Sequence, residues 1–330
     1  MPAPTISHPL TSWQRPIYGV VFAFIYLISL LPLRVHYFFS DVVLFPLVYH
    51  IIRYRRKIVH KNISSSFPEK DDAEVRDIGR RFYHWFCDYI VETIKLFSIS
   101  REEMKRRMVF VGTEQIKDLM EQGVSVGGYM GHICNWEWVS SMSLWFEDCR
   151  GEVSQVYHVL ENSVMDHLLL YDRARMGGTN VAMSEIMRYI VRKKRDGQPH
   201  LTGFNADQAP MWNNIHLWVP FLNHPQTPVF TGTERLLKRF NMAAAFLDIR
   251  RVRRGYYEGR IILISPDTTD ISDYQLTEQY IRLLEERVRQ QPECYLWSHN
   301  RWKRTREEYD RRFGKKEPIE AVEKATTASN

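Results

Sequence analysis

Cysteine is scarce in this chain. The four present, Cys87, Cys134, Cys149 and Cys294, stand far apart with no CxxC pair. That excludes a disulfide framework and a zinc ribbon and fits a reducing compartment. Gly/Ser-rich linkers and internal repeats are missing too, so a string of small modules or a solenoid is excluded, and Val124 to Lys303 reads as one continuous domain. Two further absences sit near the amino terminus. The seventeen residues from Ile17 to Leu33, IYGVVFAFIYLISLLPL, contain no charge, and the run RYRRKIVHK that starts at Arg53 contains no acid.

What is present bounds the class. At 330 residues, with 44% hydrophobic and 25% charged, the chain has enough apolar material for one large α/β domain or two ordinary ones, and a disordered protein is excluded. The formal charge of +6 favours anionic partners such as phospholipid head groups, phosphorylated glycans, acidic proteins or nucleic acid. Nucleic acid fits poorly, because the RYRRK cluster abuts an apolar run instead of interleaving with exposed aromatics.

The uncharged run is at the short edge of the roughly 17 to 25 residues that cross a bilayer as a helix, and it continues into Pro32 and Arg34 instead of a small-residue cleavage site. It is read as an uncleaved membrane anchor. A second apolar stretch, Val42 to Ile52, is too short to span and reads as interfacial or buried. Only Arg15 is basic upstream, whereas Arg53, Arg55, Arg56, Lys57 and Lys61 follow, so the positive-inside asymmetry places the body of the chain in the cytoplasm. The cluster suits an anionic leaflet, and a solvated helix face would also explain it. The expected organisation is an anchor and interfacial segment over 1–52, a basic and helical connection over 53–123, an α/β domain over 124–314 and a disordered tail over 315–330.

Residues 72 to 98 carry apolar side chains at helical spacing, among them Ile78, Phe82, Trp85, Phe86, Tyr89, Ile90 and Ile94, which reads as a core-facing helix. Beyond it, short apolar runs alternate with helical patterns. Strands are predicted at Val124 to Met130, Val153 to Leu160, Asn180 to Met183, His200 to Phe204, Ala243 to Val252 and Arg260 to Ser265. Helices are predicted after Asn162, from Ser184 to Arg195 and near Thr233 to Phe240. The alternation predicts an α/β fold with a mixed, largely parallel sheet flanked by helices, whose sites gather at the carboxyl ends of strands.

The most informative residues are Gly131-His132-Ile133-Cys134-Asn135-Trp136-Glu137, directly after a predicted strand. On a regular helix His132 and Glu137 would lie about 140° apart, so they meet only if His132 sits on the strand-to-helix turn and Glu137 opens the helix. In that geometry the carboxylate accepts from one ring nitrogen and the other is left to take a proton from an alcohol. A satisfied core histidine beside a helix-start glutamate explains the spacing as well, and a zinc site of His132, Cys134 and Glu137 has no second ligand pair at suitable spacing. The arginines at Arg250, Arg251, Arg253, Arg254 and Arg260 suit an acidic partner or phosphate, or the wet face of a hairpin.

The heptad resembles the acyltransferase block of the bacterial lipid A biosynthesis acyltransferases, the late lauroyl and myristoyl transferases within the lysophospholipid acyltransferase superfamily. The resemblance covers nearly the whole chain: the amino-terminal run, YRRKIVHKNISSSFPEK from Tyr54, YHVLEN from Tyr157, Arg173 with Gly177, Ala206-Asp207-Gln208, WVPFL from Trp218 and YLWSHNRWK from Tyr295. It implies a glycerol-3-phosphate-acyltransferase-like fold with an amino-terminal membrane-anchoring helix. It also implies a general base at His132 with Glu137 as its acid, and substrate contacts at Arg173, Arg175, Asp207 and Gln208. By their types, Arg173 suits phosphate or a polarised carbonyl but equally a salt bridge, and Asp207 and Gln208 suit support of the site or a loop cap.

The implied reaction moves a fatty acyl group from an acyl-carrier-protein thioester to a hydroxyl of a lipid A precursor, at the cytoplasmic side of the bacterial inner membrane, with no metal or cofactor. The partners it implies are acyl-carrier protein, a phosphorylated glycolipid acceptor and anionic inner-membrane lipids. Another membrane lipid as acceptor, acyl-CoA as donor, or a catalytically silent membrane-binding scaffold are the alternatives. The chain departs from the family pattern at Cys134, where glycine is usual, and at APMWNN after Gln208.

Overall fold

The computed structural model describes residues 9–314, so the expected disordered tail lies outside the described residues. The chain opens with α1 (Gln14–Ser29), α2 (Leu33–Phe39), two π-helical turns (Ser40–Leu44 and Pro46–Ile51), α3 (Arg56–Ser66), α4 (Asp72–Leu96) and α5 (Arg101–Arg107). There follow β1 (Met108–Val111), α6 (Thr113–Glu121), β2 (Val126–Met130), a 3-10 segment (Trp138–Trp145), β3 (Glu152–Tyr157), α7 (Ser163–Ala174), β4 (Thr179–Ala182), α8 (Ile186–Arg195) and β5 (His200–Asn205). The remainder is β6 (Leu217–Phe221), β7 (His224–Val229), α9 (Gly232–Phe240), β8 (Ala243–Arg253), β9 (Tyr256–Ser265), α10 (Gln275–Gln290) and α11 (Arg306–Phe313).

Seven strands form one sheet in the order β1-β9-β8-β2-β5-β3-β4, and every pairing in it is parallel except β8 with β9. This is the mixed, largely parallel sheet that the alternating pattern predicts. The periodicity missed β1, the small antiparallel β6–β7 hairpin and α10. Because β1 pairs with β9, the sheet reaches into the segment expected to be a connection.

α4 begins where its sequence says it should. Asp71 Oδ1 accepts from the Glu74 amide at 2.8 Å and Glu74 Oε2 accepts from the Asp71 amide at 3.0 Å, a reciprocal cap. Its inward stripe, including Phe82, Trp85 and Val91, is buried.

The two faces of the sheet carry different elements. Neighbouring residues of β2 point to opposite faces, and a Cβ at Gly127 would stand 2.2 Å from a Leu237 methyl, so only glycine lets α9 approach this closely. Thr202 is Gly127's register partner on that face, next to His200, whose ring packs edge-on against Tyr189 of α8. α8 and α9 therefore share one face. On the other, Gly128 lines a narrow apolar slot of about 40 Å³ under Val139 and Met142 of the 3-10 segment, which also packs against α7.

α1 seals one flank against the protein, with Tyr18, Val21, Phe22 and Ile25 packed on Phe97, Val164 and Leu168. Its other flank, at Ile17, Val20, Phe24 and Leu27, is exposed. No single helix among the described residues is long and apolar enough to cross a membrane. The expected anchor run instead breaks at Pro32, and the second apolar stretch leaves at 106° to α1 as π-helical turns with Val42, Val43, Ile51 and Ile52 exposed.

Candidate active site

β2 ends at Met130, and the chain turns at Gly131 and His132 at the carboxyl end of the sheet. A Cβ on Gly131 would meet a methyl of buried Leu284 of α10 at 2.7 Å, so any larger residue here makes Leu284 shift. The turn is pinned from the carboxyl-terminal side. His132 O accepts from the Leu296 amide at 3.1 Å, and the Cys134 amide donates to Cys294 O at 2.8 Å. Cys134 has φ 53°, a left-handed conformation that glycine adopts without strain, so the departure from the family pattern falls at a position built for glycine.

Asp207, two residues past the end of β5, grips His132 twice. Its Oδ2 accepts from the His132 backbone amide at 3.0 Å and its Oδ1 lies 2.6 Å from Nδ1. With the Nδ1 proton directed at Asp207, Nε2 is the unprotonated, basic nitrogen. It faces Gln208 Nε2 at 3.4 Å, and the Trp136 ring stands edge-on to the imidazole at 5.2 Å. Burial pulls the His132 pKa down, but the adjacent Asp207 charge and hydrogen bond outweigh it, and the net shift is upward. Burial raises Asp207, yet the His132 charge, the two hydrogen bonds and the nearby Arg301 cation hold it below the usual carboxylate range.

This corrects the pairing expected from the heptad. Glu137 makes no hydrogen bond to His132. It opens the 3-10 segment on the far side of the turn, and its carboxylate engages Arg173 of α7 side-on, Nε to Oε2 and Nη2 to Oε1, both at 2.7 Å. The physical reason is the left-handed step at Cys134, which swings Glu137 past the ring toward α7. Burial raises the Glu137 pKa, but Arg173 more than offsets it and the net shift is downward.

The expected substrate arginines are thereby placed. Arg173 spends the Nε–Nη2 edge of its fork on Glu137 and keeps Nη1 without a hydrogen-bond partner among the described residues. Arg175 points away from the site, and its guanidinium donates to the carbonyls of Leu96 and Ile99, tying α7 to the end of α4. Asp207 and Gln208 both reach His132, so the structure brings together His132, Asp207, Gln208, Glu137 and Arg173 and leaves Arg175 out. Cys134 Sγ turns to the Ile249 carbonyl at 3.5 Å, so His132, Cys134 and Glu137 do not converge. Among the described residues no group of three His, Cys, Asp or Glu is placed to hold a metal.

Arg301 went unassigned in the sequence, although it lies in the YLWSHNRWK motif. It is 1% exposed, donates to Pro228 O at 2.8 Å and supplies a buried positive charge near Asp207. The arginines at 250–260 are mostly neutralised. Arg250 is held by Glu258 at 3.1 and 3.0 Å, Arg254 by Asp41 at 2.8 Å and Asp88 at 2.5 Å, and Arg253 stacks on Tyr256.

Residues 7–304 match the family model of the bacterial lipid A biosynthesis acyltransferases. A relative, the lipid A biosynthesis lauroyltransferase of Escherichia coli (strain K12), is 23% identical over 264 residues, covering 78% of this chain and 82% of its own length. With the match spanning the anchor-like run, the sheet and the whole His132 site, the chain belongs to the bacterial lipid A biosynthesis acyltransferase family and is an acyltransferase.

Proposed function

We propose that this acyltransferase transfers a fatty acyl group from an acyl-carrier-protein thioester to a hydroxyl of a lipid A precursor, with His132 as general base and Asp207 as the acid that orients it. The observation that carries this reading is the double grip of Asp207 on the His132 amide and Nδ1 at 3.0 and 2.6 Å. It fixes ring and tautomer and leaves Nε2 basic at the rim of the sheet. Nε2 removes the acceptor hydroxyl proton as its oxygen attacks the thioester carbonyl. The tetrahedral intermediate collapses to the ester, the C–S bond breaks, and the departing thiolate takes the proton back from the imidazolium. Arg173, whose Nη1 is left without a hydrogen-bond partner among the described residues, serves the developing oxyanion or an acceptor phosphate, while Glu137 holds it in place.

Membrane attachment follows from α1 and the segment after it. A helix of sixteen residues is about 24 Å long, short of a hydrocarbon core of about 30 Å, and one flank is already sealed against α4 and α7. The exposed apolar flank and the exposed π-helical turns lie in one leaflet of the inner membrane from the cytoplasmic side, with Arg53, Arg56 and Lys57 at the head groups. Incubating the full-length protein with carrier-borne acyl thioester and a lipid A precursor, and weighing the lipid by mass spectrometry, tests the reading. One added acyl ester, absent with His132→Ala, supports it; an unchanged lipid overturns it.

A further inference from the structure

A cavity of about 590 Å³ opens between α8 and α9 on the face of the sheet away from α1. Val156, Phe204, Phe230 and Leu236 make its floor, and Ala206, the residue before Asp207, lines its inner end, so it adjoins the candidate base. Arg235 and Arg239, one turn apart on α9, stand at its mouth, both exposed. Neither has a carboxylate within ion-pair distance among the described residues, in contrast to Lys238 between them, which pairs with Asp273. Met183 and Met187 of the opposite rim are exposed as well.

A deep apolar floor beside the candidate base and two guanidinium groups without a carboxylate partner at the mouth describe a ligand that is elongated, largely uncharged along its length and ends in a phosphate. Activated acyl groups travel on such a ligand: the phosphopantetheine arm, with its amides, its terminal thioester and its phosphate, borne by a carrier protein or by coenzyme A. We propose that the α8–α9 cavity holds the phosphopantetheine arm of the acyl donor, with the phosphate on Arg235 and Arg239 and the thioester delivered past Ala206 to His132. The inference rests on the reading of a thioester donor. The placement agrees with the membrane-facing flank, because α8 and α9 lie on the opposite face of the sheet from α7 and α1. A soluble donor enters there while the lipid acceptor arrives from the other side.

Titration calorimetry of the full-length protein in detergent, with an S-alkyl phosphopantetheine thioether that cannot transfer its chain, tests the site without requiring turnover. Arg235→Glu and Arg239→Glu should each weaken binding about tenfold, and removing the phosphate from the probe should weaken wild type similarly. Met187→Glu, a rim change on an exposed side chain, should also weaken it, and circular dichroism verifies that each variant is folded. Equal affinity of wild type and the double arginine variant, or of the phosphorylated and dephosphorylated probes, overturns the proposal. Charge-dependent probe binding by a protein that acylates no lipid supports the site while refuting the transfer reading. Where transfer occurs, the KM of the true donor, carrier thioester or acyl-CoA, should rise about tenfold in Arg235→Glu with the acceptor KM unchanged. A rise in the acceptor KM alone overturns it.

Discussion

Two acid–base pairs stand side by side at the carboxyl end of the sheet, and they differ in what each leaves free. In the pair formed by the turn after β2 and the loop after β5, Asp207 occupies the His132 amide and Nδ1 and leaves Nε2 able to take a proton. In the pair formed by the 3-10 segment and α7, Glu137 and Arg173 satisfy each other through two parallel hydrogen bonds and leave a single guanidinium end exposed to the site. In the proposed mechanism the first arrangement serves as a base and the second as a fixed charge. Both acids are almost fully buried, so burial alone does not distinguish a catalytic carboxylate from a scaffold carboxylate; the partner does.

Substitutions should separate the two pairs. The largest effect belongs to His132→Ala, which should lower turnover about 10²- to 10⁴-fold in folded enzyme, measured by acyl transfer. Asp207→Asn should cost about 10- to 100-fold and should also change the pH profile of kcat/KM. The unprotonated ring is the active form, so activity in wild type falls as pH drops through a His132 pKa lying above its ordinary value. Without the Asp207 charge, burial dominates, the pKa falls, and the acid limb moves to lower pH. An acid limb that stays put in Asp207→Asn would break the distinction between the pairs.

Glu137→Gln should act first on stability. It leaves the Arg173 guanidinium without its counter-charge, at a cost of about 3 kcal/mol, the low end for a broken buried pair because the Arg173 side chain keeps 19% exposure. Denaturant titration checks this, and turnover should fall less than in His132→Ala. Smaller still is the effect of reversing Arg250, Arg251 and Arg253 to Glu. Arg250 is already spent on Glu258 at the surface, so donor KM should change less than about twofold, while stability falls because the new carboxylates face Glu258 and Glu293. The smallest change is expected of Cys134→Gly, which relieves the left-handed strain while removing a buried Sγ, and near-normal transfer should remain.

Much of the fold was legible because its strands are short apolar runs bounded by helical patterns, and the central strands β2, β3, β5 and β8 lie where those runs fall. The edge strand β1 was hidden by its brevity: Met108–Val111 alternates buried and exposed for only four residues. The position of His132 was legible as well, since it follows a strand and a glycine. Its partner was not. Glu137 is near in sequence, whereas Asp207 comes to the ring only because β2 and β5 are adjacent in the sheet, with Met130 in register with Asn205. Among the arginines at 250–260, the pairing of Arg250 with nearby Glu258 could be guessed from a hairpin, whereas that of Arg254 could not, because Asp41 and Asp88 are far away in the chain.

The partner of His132 is tested most directly by nuclear magnetic resonance of protein labelled with ¹⁵N-histidine, with His132→Gln used to identify the ring's signals. At a pH above the acid limb the ring should carry its proton on Nδ1, with that proton's signal displaced downfield by the short bond to Asp207 and lost or shifted back in Asp207→Asn. It should persist in Glu137→Gln. A signal that survives Asp207→Asn and disappears in Glu137→Gln would contradict the assignment of Asp207 as the orienting acid and restore Glu137 to that role.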